Sequence, residues 1–206
     1  MTGPRRNRVT PWGEIVATDL RCAWLGNRGI LHQDNEIVRS HASTHWLTCA
    51  LTHRGLRVPQ WQAHHYTALF FHDEAVALAA GHRPCARCRR ADYDRYALAL
   101  ASDGTAAPGA GQLDQRLHAE RLVPGTRRRR TFRAGWGGLP SGAFVVEEDA
   151  MLLVIDDAVV PWTGRGYGPR RRRPSSGSVD LLTPASSVLA LLGGYRPQLD
   201  AGVADG

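Results

Sequence analysis

The sequence predicts an α+β fold: a small antiparallel sheet with helices around a cysteine knuckle, followed by a smaller β-rich half. Three observations lead there. Short apolar runs punctuated by Gly, Asn and Asp fill residues 13–39, as strands and turns do. Residues 71–96, FHDEAVALAAGHRPCARCRRADYDRY, set a helical pattern on each side of a C-x-x-C pair. Residues 142–162 alternate strand patterns with acidic turns, ahead of a terminal helix. The small, flexible run ASDGTAAPGAG places a linker at 101–112, between an N-terminal module at 1–100 and a C-terminal region at 113–206.

Residues 1–7, MTGPRRN, read as a disordered basic arm. Strand patterns follow at 13–18 and 22–25, a turn at 25–29, and a hairpin at 30–39 turned by Gln33, Asp34 and Asn35. Residues 41–51 fit either a short helix or a buried strand leading into Cys49. Trp61, His64, His65 and Tyr66 interleave aromatic and imidazole rings, suited to stacking on bases if exposed and to the core if buried. Phe70 and Phe71 belong in the core. Asp73 is placed to cap a helix of strong formers at 75–80, which Gly81 stops and Pro84 prevents from resuming. A second helix spans 89–100, with Tyr93, Tyr96 and Leu100 at helical intervals, and a third spans 113–122. Strands at 142–146 and 151–155 flank the turn 147–149, and another strand ends at 159–162. Thr183 and Pro184 open a helix over 185–192 that Gly193 and Gly194 close.

The chemistry is concentrated in the cysteines. Cys85 and Cys88 at C-x-x-C spacing let one tight turn aim two thiolates at a tetrahedral ion. Redox enzymes place the same motif after a strand, at the start of a helix; here a helix precedes it, which favours structural zinc. Cys49 is the best third ligand. The fourth is His45 or His53, each four residues from Cys49, with His41, His64, His65 and His82 also available. Cys22, between Arg21 and the apolar Ala23, Trp24 and Leu25, reads as a small buried side chain, with a four-cysteine site as the alternative.

The stretch AVALAAGHRPCARCRR resembles the metal-binding domain of the Ada DNA alkylation-repair methyltransferases, where a helix ends in A-A-G-aromatic-R-P-C-x-x-C. The resemblance covers residues 49–90 and implies a zinc site shared with an upstream pair of cysteines, one of which accepts methyl groups from DNA in that family. Cys85 and Cys88 match the downstream pair, and Cys49 matches one upstream position. His53 stands where the second upstream cysteine would be, so the resemblance implies a Cys3His site and does not extend methyl acceptance to Cys49. The whole chain is also similar to an uncharacterised bacterial family that opens with R-V-T-P-x-G-E-I and M/L-G-N-R-G-x-L-H, matched at 8–15 and 25–32.

The net charge is +7, and every basic residue other than histidine is arginine. Arginine's planar fork suits phosphate, so DNA or RNA is the expected partner, although GC-rich codon usage also favours arginine over lysine. The candidate contacts are Arg28, Arg54, Arg57, Arg89, Arg90 and two runs, Arg127, Arg128, Arg129 and Arg130, then Arg170, Arg171, Arg172 and Arg173, read as flexible arms that follow a phosphate backbone. No run of about 18 apolar residues occurs, so no membrane span is expected. The absence of a signal-peptide pattern and the zinc-type spacing of the cysteines lead to a cytoplasmic expectation.

The leading expectation is thus a zinc-binding, nucleic-acid-binding protein, in DNA repair or modification. An enzymatic alternative places a divalent ion on His32, Asp34 and Glu36 for a metal-dependent nuclease, against an ordinary turn at Asp34 and Asn35. Asp114 and His118, one helical turn apart, form either a general base with its orienting carboxylate or a surface pair. A third reading is a non-enzymatic module that meets an acidic protein.

Overall fold

The computed structural model describes residues 3–101 and 106–204, so part of the expected linker, 102–105, lies outside the described residues. The first half contains β1 (Arg6–Val9), β2 (Ile15–Ala17), β3 (Trp24–Asn27), β4 (His32–Gln33), β5 (Glu36–Ile37), β6 (Leu47–Cys49), β7 (Thr52–His53), β8 (Leu56–Arg57) and β9 (Leu69–Phe71). Helix α1 (Glu74–Ala79), β10 (Arg83–Pro84), α2 (Arg90–Ala99) and α3 (Ala110–Arg121) follow. The remainder holds β11 (Phe132–Gly135), β12 (Phe144–Glu147), β13 (Ala150–Ile155), β14 (Ala158–Pro161), β15 (Arg171–Arg172), β16 (Ser178–Leu181), α4 (Ala185–Leu192) and α5 (Ala201–Ala204).

The fold is α+β, with two six-stranded sheets. The first runs β10-β6-β3-β9-β1-β2 and is mixed rather than purely antiparallel, because β1 pairs with β9 and β6 with β10 in parallel. The second runs β11-β16-β12-β13-β14-β15 and is antiparallel throughout. Its centre is the expected meander: β12 and β13 pair in register from Phe144 against Leu153 to Glu147 against Ala150. Both sheets therefore have the same number of strands, and the second half is not a minor appendage.

Local chemistry explains most of the elements. Asp73 caps α1 by accepting from the Val76 amide at 2.9 Å, and Gly81, at φ +87°, ends it in the left-handed region open to glycine. The α4 helix starts immediately after Pro184 and ends at Gly193, as expected. Asp34, at φ +53°, turns the β4–β5 hairpin. Two stretches differ from expectation. Arg6 and Asn7 are not a disordered arm but the start of β1, with Asn7 buried. Gly26 lies within β3 rather than in a turn: a Cβ there would stand 2.4 Å from Phe71 Cε2, so the glycine is what lets the Phe71 ring close over the strand.

Helix α1 is buried along all six of its residues. One apolar cluster around it joins Val9, Leu69 and Phe71 to Phe144, Leu153 and Val160, and a second joins Leu78 and Tyr96 to Val145, Leu152 and Leu191. Each cluster thus draws on residues from both sides of 101–112.

Glu74, inside this core, is reached by the buried Arg89 at 2.8 Å, by the Tyr195 hydroxyl at 2.5 Å and by the Gln198 amide at 2.9 Å. Burial raises its carboxyl pKa, and the Arg89 charge opposes that rise. Removing Glu74 leaves buried Arg89 with Asp92 as its remaining carboxylate and takes the acceptor from Tyr195 and Gln198. Glu74→Ala is expected to lower the unfolding free energy by about 3 kcal/mol or more in urea titrations. Arg90→Ala, which removes an exposed pair with Asp94, is expected to leave the urea transition essentially unchanged.

Candidate functional site

Three thiols converge. Strand β6 ends at Cys49, and β10 pairs beside it in parallel, Pro84 opposite Thr48, so that the Cys85 amide donates to the Thr48 carbonyl at 3.0 Å. The turn after β10 then brings Cys88 round before α2 begins. The ligand atoms of Cys49, Cys85 and Cys88 all lie within 4.8 Å of one another, the geometry of side chains that can hold a metal ion. Hydrogen bonds from Cys49 and Cys88, together with the Arg87 and Cys88 amides, hold the Cys85 thiol far below its ordinary range; the matching bonds to Cys85 and Cys88 push Cys49 up. Three thiols this close oppose one another's ionisation, and a bound cation would let all three ionise.

The two histidines expected as fourth ligand fall in different places. His45 is an exposed side chain 3.9 Å from Asp114 and does not join the cluster. His53 sits on β7, in the hairpin after Cys49; it is outside the 4.8 Å group, yet its Nε2 is buried without a hydrogen-bond partner among the described residues. Cys22 also stands apart, its Sγ 3.6 Å from the Leu20 carbonyl and its pKa pushed up to about 11 by burial. Tyr66, expected either to stack on bases or to join the core, instead lies near the thiols, and its phenol is raised to about 12 mainly by burial.

A second feature is a cleft of about 810 Å³ whose lining includes Arg6, Arg28, Arg39, Arg127, Arg128 and Arg129, with Glu14 as its one acidic residue among those described. Trp12 adds half-buried aromatic surface, and the buried Trp46 lies behind it. Folding thus brings Arg28 together with most of the first arginine run across about 100 positions of sequence. That run is an ordered loop rather than a free arm: Arg129 bridges to Leu122, and its guanidinium donates to the carbonyls of Arg121, Ala79 and Leu182.

The other candidate arginines lie elsewhere. Arg89 is corrected from a phosphate contact to a core residue, paired with Glu74 and Asp92 and lying 3.8 Å from the Trp24 ring centroid. Arg90 is exposed and pairs with Asp94, and Arg54 and Arg57 are exposed on the β7–β8 hairpin. Arg130 is exposed beside Phe132. The second run is not a flexible arm either: Arg171 and Arg172 form the edge strand β15, Arg171 pairs with Glu147, and Arg170 and Arg173 donate to the carbonyls of Val203 and Leu139.

The enzymatic constellations do not assemble. His32 is buried with Nδ1 2.6 Å from the Thr67 hydroxyl, while Asp34 and Glu36 are exposed at the hairpin turn; among the described residues only the three cysteines form a metal-type group. Asp114 is buried rather than on the surface and accepts from Arg83 at 2.8 and 2.7 Å through both carboxylate oxygens, so it does not orient His118. No helix among the described residues is long and apolar enough to cross a membrane. No family model, curated protein or solved structure matches the chain.

Cobalt(II) titration followed by its thiolate charge-transfer absorption reads the thiol cluster directly. Wild type and Cys22→Ser are expected to bind one equivalent with a strong thiolate band, and Cys49→Ser and Cys88→Ser to lose most of it. A Cys22→Ser variant as impaired as Cys49→Ser would contradict the assigned ligands.

Proposed function

We propose that the chain is a zinc-binding protein that engages nucleic acid through the arginine-lined cleft. The observation that carries the reading is the gathering of Arg28, Arg127, Arg128 and Arg129 on one cleft with a single opposing carboxylate. Such a surface attracts a polyanion and releases its counterions on binding. Trp12, half-buried on the wall, adds a face on which a base can stack.

Zinc suits the donor set, because three soft thiolates select it over the hard divalent ions. Cys49, Cys85 and Cys88 would hold it. His53 is the fourth ligand in this reading, since its buried Nε2 has no other partner among the described residues and lies on the hairpin just after Cys49. A closed four-ligand site gives the ion a structural role, tying β6 to the start of α2. The resemblance of residues 49–90 to the Ada metal-binding domain supports DNA as the nucleic acid, and repair or modification as the setting.

Fluorescence anisotropy with a labelled oligonucleotide at increasing salt tests the cleft. Affinity is expected to fall steeply with salt, and Arg127→Ala with Arg128→Ala to flatten the log–log slope by roughly 1.5, the value for two phosphate contacts. Arg170→Ala with Arg172→Ala, outside the cleft, is expected to leave the slope nearly unchanged. Equal effects of the two pairs, or no salt-dependent binding, would reject the cleft as the nucleic-acid surface.

A further inference from the structure

Behind the cleft stands a group of buried cations with no anion. Arg28 is 1% exposed and Arg121 is fully buried, and both guanidinium carbons sit against the Trp46 ring, at 4.1 and 4.4 Å from its centroid. Arg129 joins them. Their hydrogen bonds run only to neutral groups: Arg28 to the Gly13 carbonyl and His82 Nε2, Arg121 to the carbonyls of Leu117 and Thr44, Arg129 to three further carbonyls. Each keeps an unused buried nitrogen: Nη2 of Arg28, Nη2 of Arg121 and Nε of Arg129. Among the described residues no carboxylate comes within 4.0 Å of any of the three, and Asp114, the acidic group whose charge reaches Arg121, is engaged by Arg83. Burial weakens the hold of all three on their protons, repulsion from the neighbouring arginines adds to it at Arg28 and Arg121, and burial holds His82 beside them neutral.

Elsewhere the same chain neutralises its buried arginines with carboxylates, Arg83 with Asp114 and Arg89 with Glu74. Three desolvated cations left without one carry a repulsion that a bound anion would remove. Arg28 and Arg129 both line the cleft, so the group is its floor, while the exposed Arg39, Arg127 and Arg128 form its rim. An internal phosphodiester is flanked by nucleotides on both sides and carries one charge; it meets the rim. A phosphate monoester at a chain end carries up to two charges, reaches a recessed floor and matches the arginine fork.

We infer that the floor formed by Arg28 and Arg129, backed by Arg121, binds a terminal phosphate monoester, of a nucleotide or of a phosphorylated nucleic-acid end, with Trp12 placed beside the adjoining base. This deepens the proposed function and rests on it only for the chain that carries the phosphate.

The test compares one oligonucleotide bearing a 5′-phosphate, a 3′-phosphate or hydroxyls at both ends, alongside a nucleoside monophosphate and inorganic phosphate, by anisotropy, calorimetry and thermal melting at fixed ionic strength. One phosphorylated end is expected to bind about tenfold or more tightly than the hydroxyl form. In Arg28→Met that preference is expected to vanish, while the melting temperature without phosphate holds or rises because a repelling buried charge is gone. Should Arg28→Met not fold, Arg28→Lys, which keeps the charge and loses the fork, is expected to reduce the preference several-fold, whereas Arg128→Ser at the exposed rim is expected to weaken all three oligonucleotides alike. Binding of phosphate or nucleotide without binding of any oligonucleotide would support the phosphate site and refute the nucleic-acid reading. Equal binding of all three oligonucleotides, with no stabilisation by phosphate, would overturn the phosphate site and leave the nucleic-acid reading standing.

Discussion

Complete burial of α1 is the constraint on which the rest of the structure depends. A short helix cannot sit in a core unless the polar groups at its ends find partners, and here those partners come from far along the chain. At its start Asp73 accepts from the Val76 amide, the Tyr167 hydroxyl and the Asp200 amide, and Glu74 accepts from Tyr195 and Gln198. At its end the Arg129 guanidinium reaches the Ala79 carbonyl, a cation at the negative pole of the helix. Gly81 then turns the chain into His82, which supports Arg28, and into β10, which delivers Cys85 to Cys49. The cleft floor and the thiol cluster are therefore the two products of one buried segment.

Those two products are electrostatically complementary in what they lack. Three crowded thiols oppose one another's ionisation until a cation relieves them; three crowded guanidiniums hold positive charge that an anion relieves. Neither deficit is general to the molecule, since Arg83 and Arg89 carry their own carboxylates. Zinc at one end of the segment and phosphate at the other would each complete a local charge balance while fixing the backbone between them.

Much of this was legible in the sequence where the signal was local. The Asp73 cap, the Gly81 stop, the helix around Tyr93 and Tyr96, the β12–β13 hairpin and the Pro184-to-Gly193 helix all rest on residues within a few positions of one another. Cys49 could be matched to Cys85 and Cys88 because thiols at metal spacing form a small set. What stayed hidden depended on pairing at a distance. Arg89 and Asp114 look like surface charges until Glu74 and Arg83 are brought to them. The run at 170–173 looks like a free arm until β14 offers it an edge. Arg121 did carry a readable signal: it follows Leu113 and Leu117 at four-residue intervals, on the face of α3 that is buried.

The most direct test of the account is elemental analysis of the full chain purified without added metal, together with its unfolding transition before and after a strong chelator. The account predicts close to one zinc per chain, and a cooperative fold weakened when the zinc is withdrawn. Metal-free protein whose transition is cooperative and indifferent to both zinc and chelator would contradict it.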